Sequence, residues 1–282
     1  MSSVWHALAD PFGQQILRRA FVEVLLLGVA GGALSCWIVY YNLAYSTESL
    51  AHALLPGLVI AALTGLPLLL GAGAGILLAA AAVATAGQIA TIGRDTAVAV
   101  VVTGLFGLGV LLALSPASPP GLQGLLFGDV LGVSDRDLLL AAALATGAVI
   151  ALWLLHGRLL IVGFDRLSAR ALGVTPHAID LALLALVALA LLVAVQGLGN
   201  LLVVAVLIAP AASARTLTRR MAPMIVAATL IATASGVGGL YLSYYANTAA
   251  GASIVAMLIA VYTILRLARA VKRPYGRLVG AQ

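Results

Sequence analysis

The chain has 282 residues, 63% of them hydrophobic, with a mean hydropathy of +1.16. Only 15 basic and 9 acidic residues are present, 9% of the chain, where a soluble domain carries roughly a quarter. A soluble globular protein is therefore excluded, and lipid must be the solvent for most of the length. The net charge of +6 comes from arginines in short gaps between apolar runs, not from a basic stretch interleaved with aromatics. That distribution belongs to cytoplasmic membrane loops and excludes a nucleic-acid partner. The single cysteine, Cys36, excludes an intramolecular disulfide and a Cys-based metal site.

A membrane span needs about 20 mostly apolar residues. Residues 1–19 read as an N-terminal interfacial segment. The first apolar run, 20–40, is too long for a signal-peptide core and lacks a cleavage site, so it reads as a retained span. Further apolar segments follow at 50–66, 67–90, 96–114, 138–155, 179–195, 198–212, 225–244 and 254–267. The count is eight or nine. Pro67 either separates two helices or kinks one, and Gly197-Leu198-Gly199-Asn200 either divides two elements or interrupts a longer one. Residues 20–270 form the membrane domain and 271–282 a basic tail.

Three clusters set the topology: Arg158, Arg166 and Arg170; Arg215, Arg219 and Arg220; Arg266, Arg269, Lys272, Arg273 and Arg277. Successive clusters are separated by two candidate spans, so all three share one face. The excess of positive charge makes that face, and the C-terminus, cytoplasmic. Arg94 falls on it too. Arg18 and Arg19 do not: nine spans place them outside, unless the N-terminal segment lies along the interface or the count is eight.

Ser115-Pro116-Ala117-Ser118-Pro119-Pro120-Gly121 breaks any helix, and the apolar piece 122–133 is too short to span. It reads as an interfacial or re-entrant segment on the outer side. No soluble domain stands out, nor an internal repeat of the kind found in many secondary transporters. The single lysine, Lys272, lies outside any phosphate-binding loop, so this chain does not hydrolyse ATP by that route. Zinc-protease and serine-nucleophile motifs are absent as well.

The stretch Tyr45-Ser46-Thr47-Glu48-Ser49-Leu50-Ala51-His52-Ala53-Leu54-Leu55-Pro56-Gly57 holds polar groups that a membrane should reject. Glu48 and His52 are four apart, one turn from each other on one helix face. An ionisable pair at such depth costs several kcal/mol unless it meets water, a partner or an ion. Carboxylate oxygen plus imidazole nitrogen suits divalent Zn, Mn or Fe. Two copies facing across a dimer axis would supply a tetrahedral set of four. The same spacing also fits a simple pair at a helix end.

Tyr244 to Gly251 forms a polar, aromatic turn around Asn247, on the outer face by arginine counting; it also fits an interfacial belt. The small-residue spacings Gly28–Gly32, Gly71–Gly75 and Gly124–Gly128 allow close helix packing. Two stretches on the basic face suit an acidic groove on a soluble motor. One is Ala209-Pro210-Ala211-Ala212-Ser213-Ala214-Arg215-Thr216-Leu217-Thr218-Arg219-Arg220, which leaves a span and continues as a short basic helix. The other is Phe164-Asp165-Arg166-Leu167-Ser168-Ala169-Arg170-Ala171-Leu172-Gly173, amphipathic and stopped by glycine. Either also fits an interfacial loop with snorkelling arginines.

At these residues the sequence resembles the permease subunits of zinc/manganese-type ABC importers. Thr47 through Gly57 is similar to the pattern Gly-Asp-x-Leu-(Ser/Ala)-His-Ala-x-x-x-Gly. Leu126-Phe127-Gly128-Asp129-Val130-Leu131 is similar to Leu-Phe-Gly-Asp-x-Leu. Phe164 through Gly173 is similar to Phe-Asp-x-x-x-Ala-x-x-x-Gly. Gly199-Asn200-Leu201-Leu202 through Arg215 is similar to Gly-x-Leu-Leu-x-x-x-Leu-Leu-x-x-Pro-Ala-Ala-x-Ala-Arg. The matches run in order along almost the whole chain.

The resemblance implies an all-α polytopic membrane protein of eight or nine helices with the ABC importer permease fold. It would be a homodimer in the bacterial cytoplasmic membrane, served by a separate cytoplasmic ABC ATPase and an extracytoplasmic metal-binding protein. No cofactor would be permanently bound; the divalent metal would be cargo. Glu48 and His52 correspond to the family's metal-path Asp and His, with Asn247 and Asp129 as possible entry residues. Pro210 to Arg220 is the first choice for the ATPase-coupling helix, and Asp165, Arg166 and Arg170 mark the second. Three departures bear on metal identity: Glu48 is one methylene longer than the usual Asp, Asn247 is an amide where an Asp is usual, and Tyr40-Tyr41 stands where Arg often sits. The competing reading is a self-sufficient secondary carrier or channel for a divalent cation. The absence of a chain of buried carboxylates for proton coupling weighs against it.

Overall fold

The doubtful boundaries at Pro67 and Gly199 both separate distinct helices in the computed structural model, which describes residues 13–86, 94–115, 132, 134–199 and 202–272. These residues form α1 (Gln15–Tyr40), α2 (Ala44–Thr64), α3 (Leu68–Ala86), α4 (Arg94–Ala113) and α5 (Asp135–Phe164). They continue as α6 (Arg166–Ala171), α7 (Pro176–Leu198), α8 (Val203–Leu217), α9 (Met221–Ala246) and α10 (Ala250–Lys272). Six of the helices, α1, α2, α5, α7, α9 and α10, are long and apolar enough to cross a membrane, and α3, α4 and α8 contribute shorter apolar stretches. Among the described residues the regular structure is entirely helical.

Gly65 ends α2 in the left-handed region at φ 70°, a conformation that costs glycine little. Pro67 then stands just before α3, outside the helical ladder, where its missing N–H breaks no bond. Gly199 at φ 77°, ψ 159° ends α7 in a backbone region open essentially to glycine alone. The 30-residue α5 outruns its apolar core at both ends. At 1.5 Å per residue it is about 45 Å long, against a hydrocarbon layer of about 30 Å. Its start is fixed by reciprocal Ser134–Asp137 capping bonds.

The centre of the bundle is α1, packed on α9, α8 and α5, while α2 packs on α3 and α4. Small residues decide both contacts, because lipid supplies no hydrophobic drive between helices and close backbone approach must do so instead. Gly28 and Gly32 lie against Thr233 and Thr229 of α9; a Cβ on Gly32 would sit 2.6 Å from the Thr229 Cα. Gly71 and Gly75 lie against Gly57 and Ala53 of α2. Both spacings are thus used within the chain. Gly124–Gly128 lies outside the described residues.

Side-chain contacts identify the two ends. At one end Arg19 Nη2 meets Asp135 Oδ2 at 2.6 Å, joining the starts of α1 and α5. At the other, the Tyr41 hydroxyl donates to the Leu159 carbonyl at 2.7 Å. Tyr40 shares a cavity there with Arg215, Arg219, Arg266 and Arg269. So α1 already begins at Gln15, and Arg19 stands at the end opposite the three clusters, as nine spans require. Its charge is compensated there by Asp135.

Candidate functional site

Glu48 and His52 occupy the opening turns of α2, which starts at the Arg-rich end after a short turn through Asn42 (φ 56°). Thr47 is fully buried and returns its hydroxyl to the Leu43 carbonyl at 2.9 Å, so the face carrying Glu48 and His52 turns away from that side. His52 Nε2 stands 3.9 Å from Glu48 Oε1. That is too long for a hydrogen bond. The Glu48 side chain is 55% exposed and His52 24%.

His52 is otherwise held by apolar matter. Its ring packs on Phe106 of α4 at a centroid distance of 4.5 Å, and its Nδ1 is buried with no hydrogen-bond partner. One turn onward, Gly109 on the same side of α4 lies against Pro56, whose ring interrupts the α2 ladder. Most buried polar groups find partners, and an unsatisfied one costs about 1–3 kcal/mol. The pair thus lies within ion-pair reach but leaves His52 Nδ1 without a hydrogen-bond partner. Phe106 carried no signal in the sequence, because it is one apolar residue among many along α4. Glu23 is a second acid that sequence reading passed over: it lies within α1 and is 3% exposed.

The described residues include no cluster of three or more His, Cys, Asp or Glu side chains. One chain thus brings two candidate ligands together. Asn247 lies elsewhere, at the end of α9 remote from the Arg-rich end, and serves as the left-handed C-cap (φ 52°, ψ 44°). Its turn is closed by Ser243 Oγ donating to the Thr248 carbonyl at 2.6 Å and by a 2.7 Å contact between the Thr248 and Ser253 hydroxyls. Asp129 and Asn200 lie outside the described residues.

Of the two candidate coupling stretches, Pro210 to Leu217 forms the last two turns of α8 itself, continuous with the span it leaves. The helix tolerates Pro210 and simply continues. Pro210, Ala211, Ser213 and Ala214 are buried, Ala212 and Thr216 are half-buried, and Arg215, Leu217, Arg219 and Arg220 are exposed. Arg269 of α10 donates to the carbonyls of Thr216 at 2.6 Å and Arg215 at 3.4 Å, closing the helix end.

The second stretch does form its own helix, α6. Asp165 caps it, accepting from Leu167 N at 2.9 Å and Ser168 Oγ at 2.5 Å. Those bonds, the Ser168 hydroxyl foremost, hold its carboxyl below the usual carboxylate range. Gly173 at φ 76° stops the chain as expected. Arg166 makes a two-pronged bond to Asp180 at 2.9 and 3.1 Å, which leaves exposed Arg170 as the arginine of α6 available to a partner.

The family model described as "ABC 3 transport family" matches residues 13–269. The chain belongs to this family. The chain is similar to the manganese transport system membrane protein MntC of Listeria monocytogenes, 31% identical over 88% of this chain and 89% of that protein. The chelated iron transport system membrane protein YfeD of Yersinia pestis is 30% identical over 90% and 86%. Among solved structures, PsaBC from Streptococcus pneumoniae in complex with Fab superposes with a TM-score of 0.86 at 29% identity, covering 93% of this chain and 95% of that one. The architecture is that of an ABC importer permease, and the protein is a multi-pass membrane protein.

Proposed function

We propose that the chain carries a divalent transition metal inward across the bacterial cytoplasmic membrane by alternating access, driven by a separate ABC ATPase. The reading rests on one observation: His52 keeps a buried, unpartnered imidazole nitrogen beside Glu48 inside a span. Such a group, held at a cost, suits a cation that visits and leaves. Relatives named for manganese and chelated iron transport support the cargo class.

Glu48 and His52 from each of two copies would complete four ligands, so the working unit is a homodimer. The oxygen–nitrogen set accepts Mn, Fe or Zn. An extracytoplasmic binding protein would deliver the ion. The arginine clusters make the Tyr40 end and the C-terminus cytoplasmic, where Pro210 to Arg220 would meet the ATPase, with α6 as a second contact. This chain would be the transport subunit, with ATP hydrolysed by its partner.

Uptake of each of the three ions into proteoliposomes holding the full complex tests the reading. Glu48→Gln and His52→Ala should abolish uptake while the ATPase stays bound. Undiminished uptake in both variants would overturn the site, and uptake persisting without ATP would overturn the drive.

A further inference from the structure

The end of α1, the end of α8, the start of α9 and the end of α10 enclose a cavity of about 980 Å³. Arg215, Arg219, Arg266 and Arg269 line it, and among the described residues no Asp or Glu does. The ion pairs at this end employ other groups, such as Arg166 with Asp180. Among the described residues, Arg269 is the one of the four whose side chain is engaged, and with neutral backbone carbonyls. Four guanidiniums collected around one space, within reach of one another's fields, leave an anion as the missing partner.

The rest of the wall selects the anion. Met221 and Leu267 make part of it apolar. Of the six long helices α10 is the least covered within the chain, only 11% of its apolar window being buried, which leaves its apolar flank open to an acyl chain. Leu267 is 61% exposed on that helix, next to exposed Arg266. The cavity thus stands at the boundary between lipid and water, with a basic lining and an apolar approach. A free phosphate or an acidic peptide would use the charge but not the apolar flank. Residues 273–282 bring Arg273 and Arg277 and no acidic side chain, so the tail is poorly matched.

We propose that this cavity binds the headgroup of an anionic phospholipid, its phosphate on the arginines and its acyl chains along α10. Guanidinium forks match phosphate oxygens in paired, charge-assisted bonds, and basic pockets between spans are suited to anionic headgroups. Because Arg269 both lines the cavity and closes α8, an occupying lipid bears directly on the end of α8. The inference is independent of the cation reading, and it shares Arg215 and Arg219 with the stretch proposed to meet the ATPase.

The test uses the full-length chain in nanodiscs of phosphatidylcholine with increasing phosphatidylglycerol, reading retained lipid by native mass spectrometry and the melting temperature. The wild type should retain phosphatidylglycerol in preference to phosphatidylcholine and melt several degrees higher with it. Arg266→Gln should weaken retention about tenfold, the loss of one charge-assisted contact, and Arg266→Lys should restore part of it. Arg158→Gln, an exposed arginine at the same end but outside the cavity, should leave retention unchanged. Equal retention of both lipids overturns the proposal, as does equal weakening by Arg158→Gln. So does stabilisation by inorganic phosphate alone matching that by the lipid. If Arg266→Gln keeps the lipid but, in the purified complex, no longer holds the ATPase, the cavity is a protein-docking site and the proposal fails.

Discussion

Arg269 of α10 donates from Nη1 to the Thr216 carbonyl at 2.6 Å, so one helix closes the exposed end of another that lies 53 residues earlier. The last carbonyls of a helix lack intrahelical partners, and a cation placed there also meets the negative end of the helix dipole. Arg269→Gln removes that charge. The half-buried site predicts a loss of about 1 kcal/mol in stability. If the end of α8 transmits the ATPase stroke, transport per ATP falls more than ATP hydrolysis does. Paired measurements of ion flux and phosphate release check this, and equal falls in both would count against a role in coupling.

A Cβ on Gly57 would collide with the Gly71 carbonyl oxygen, and one on Gly71 with the Gly57 carbonyl and Ala61 Cβ. Backbone on both sides leaves little to yield. Gly57→Ala is expected to cost about 1–3 kcal/mol, as overpacking does, and to lower the yield of folded protein. Gly104→Ala, with nothing within 4 Å of the added carbon, should instead be neutral or stabilise by about 0.5–1 kcal/mol through helix propensity. Thermal melts of the two variants in the same detergent make the comparison.

Phe106 is the apolar lid on His52. Phe106→Ala admits water to the imidazole and frees its ring to turn, so the pair loses its fixed geometry. The expected result is a several-fold rise in the ion concentration for half-maximal uptake, with the maximal rate changed less. Initial rates over a range of manganese concentrations report both quantities. A fall in maximal rate alone would mean that Phe106 acts on the helix and not on the site.

The lowered Asp165 carboxyl gives α6 an acid-sensitive cap. Its bonds to Ser168 and Leu167 are made by the charged form, so their contribution is complete above the ordinary carboxylate pKa of 3.8. It is lost as the pH falls through the depressed value. Binding of the ATPase through α6 should therefore be flat from neutral pH down to about 5. Ser168→Ala removes the largest cause of the shift and should move the acid loss of α6 helicity to higher pH. Isotope-edited infrared spectra of the segment would follow it, and an unmoved midpoint would contradict the assignment.

Much of this molecule was legible in one dimension. Nine apolar segments in the right order, the helix-stopping Gly173, and the shared face of Glu48 and His52 all follow from local chemistry. Elements ended where glycine or proline changed the backbone, as at Gly199, and ran on where only hydrophobicity faded, as α5 did past its apolar core. Pro210 lies inside α8 for the same reason: one missing N–H does not end a helix whose other bonds persist.

By itself the sequence determined that the chain lives in lipid, where its spans fall and that an acid and a histidine share one of them. Composition and helical period are properties of neighbours along the chain. The tertiary structure alone decided that Gly28 and Gly32 serve α9, that Arg19 answers Asp135, that Phe106 covers His52 and that Arg269 closes α8. In water an apolar stripe tells which face of a helix turns inward. In lipid both faces are apolar, so orientation is set by close backbone approach and by a few polar contacts between distant residues.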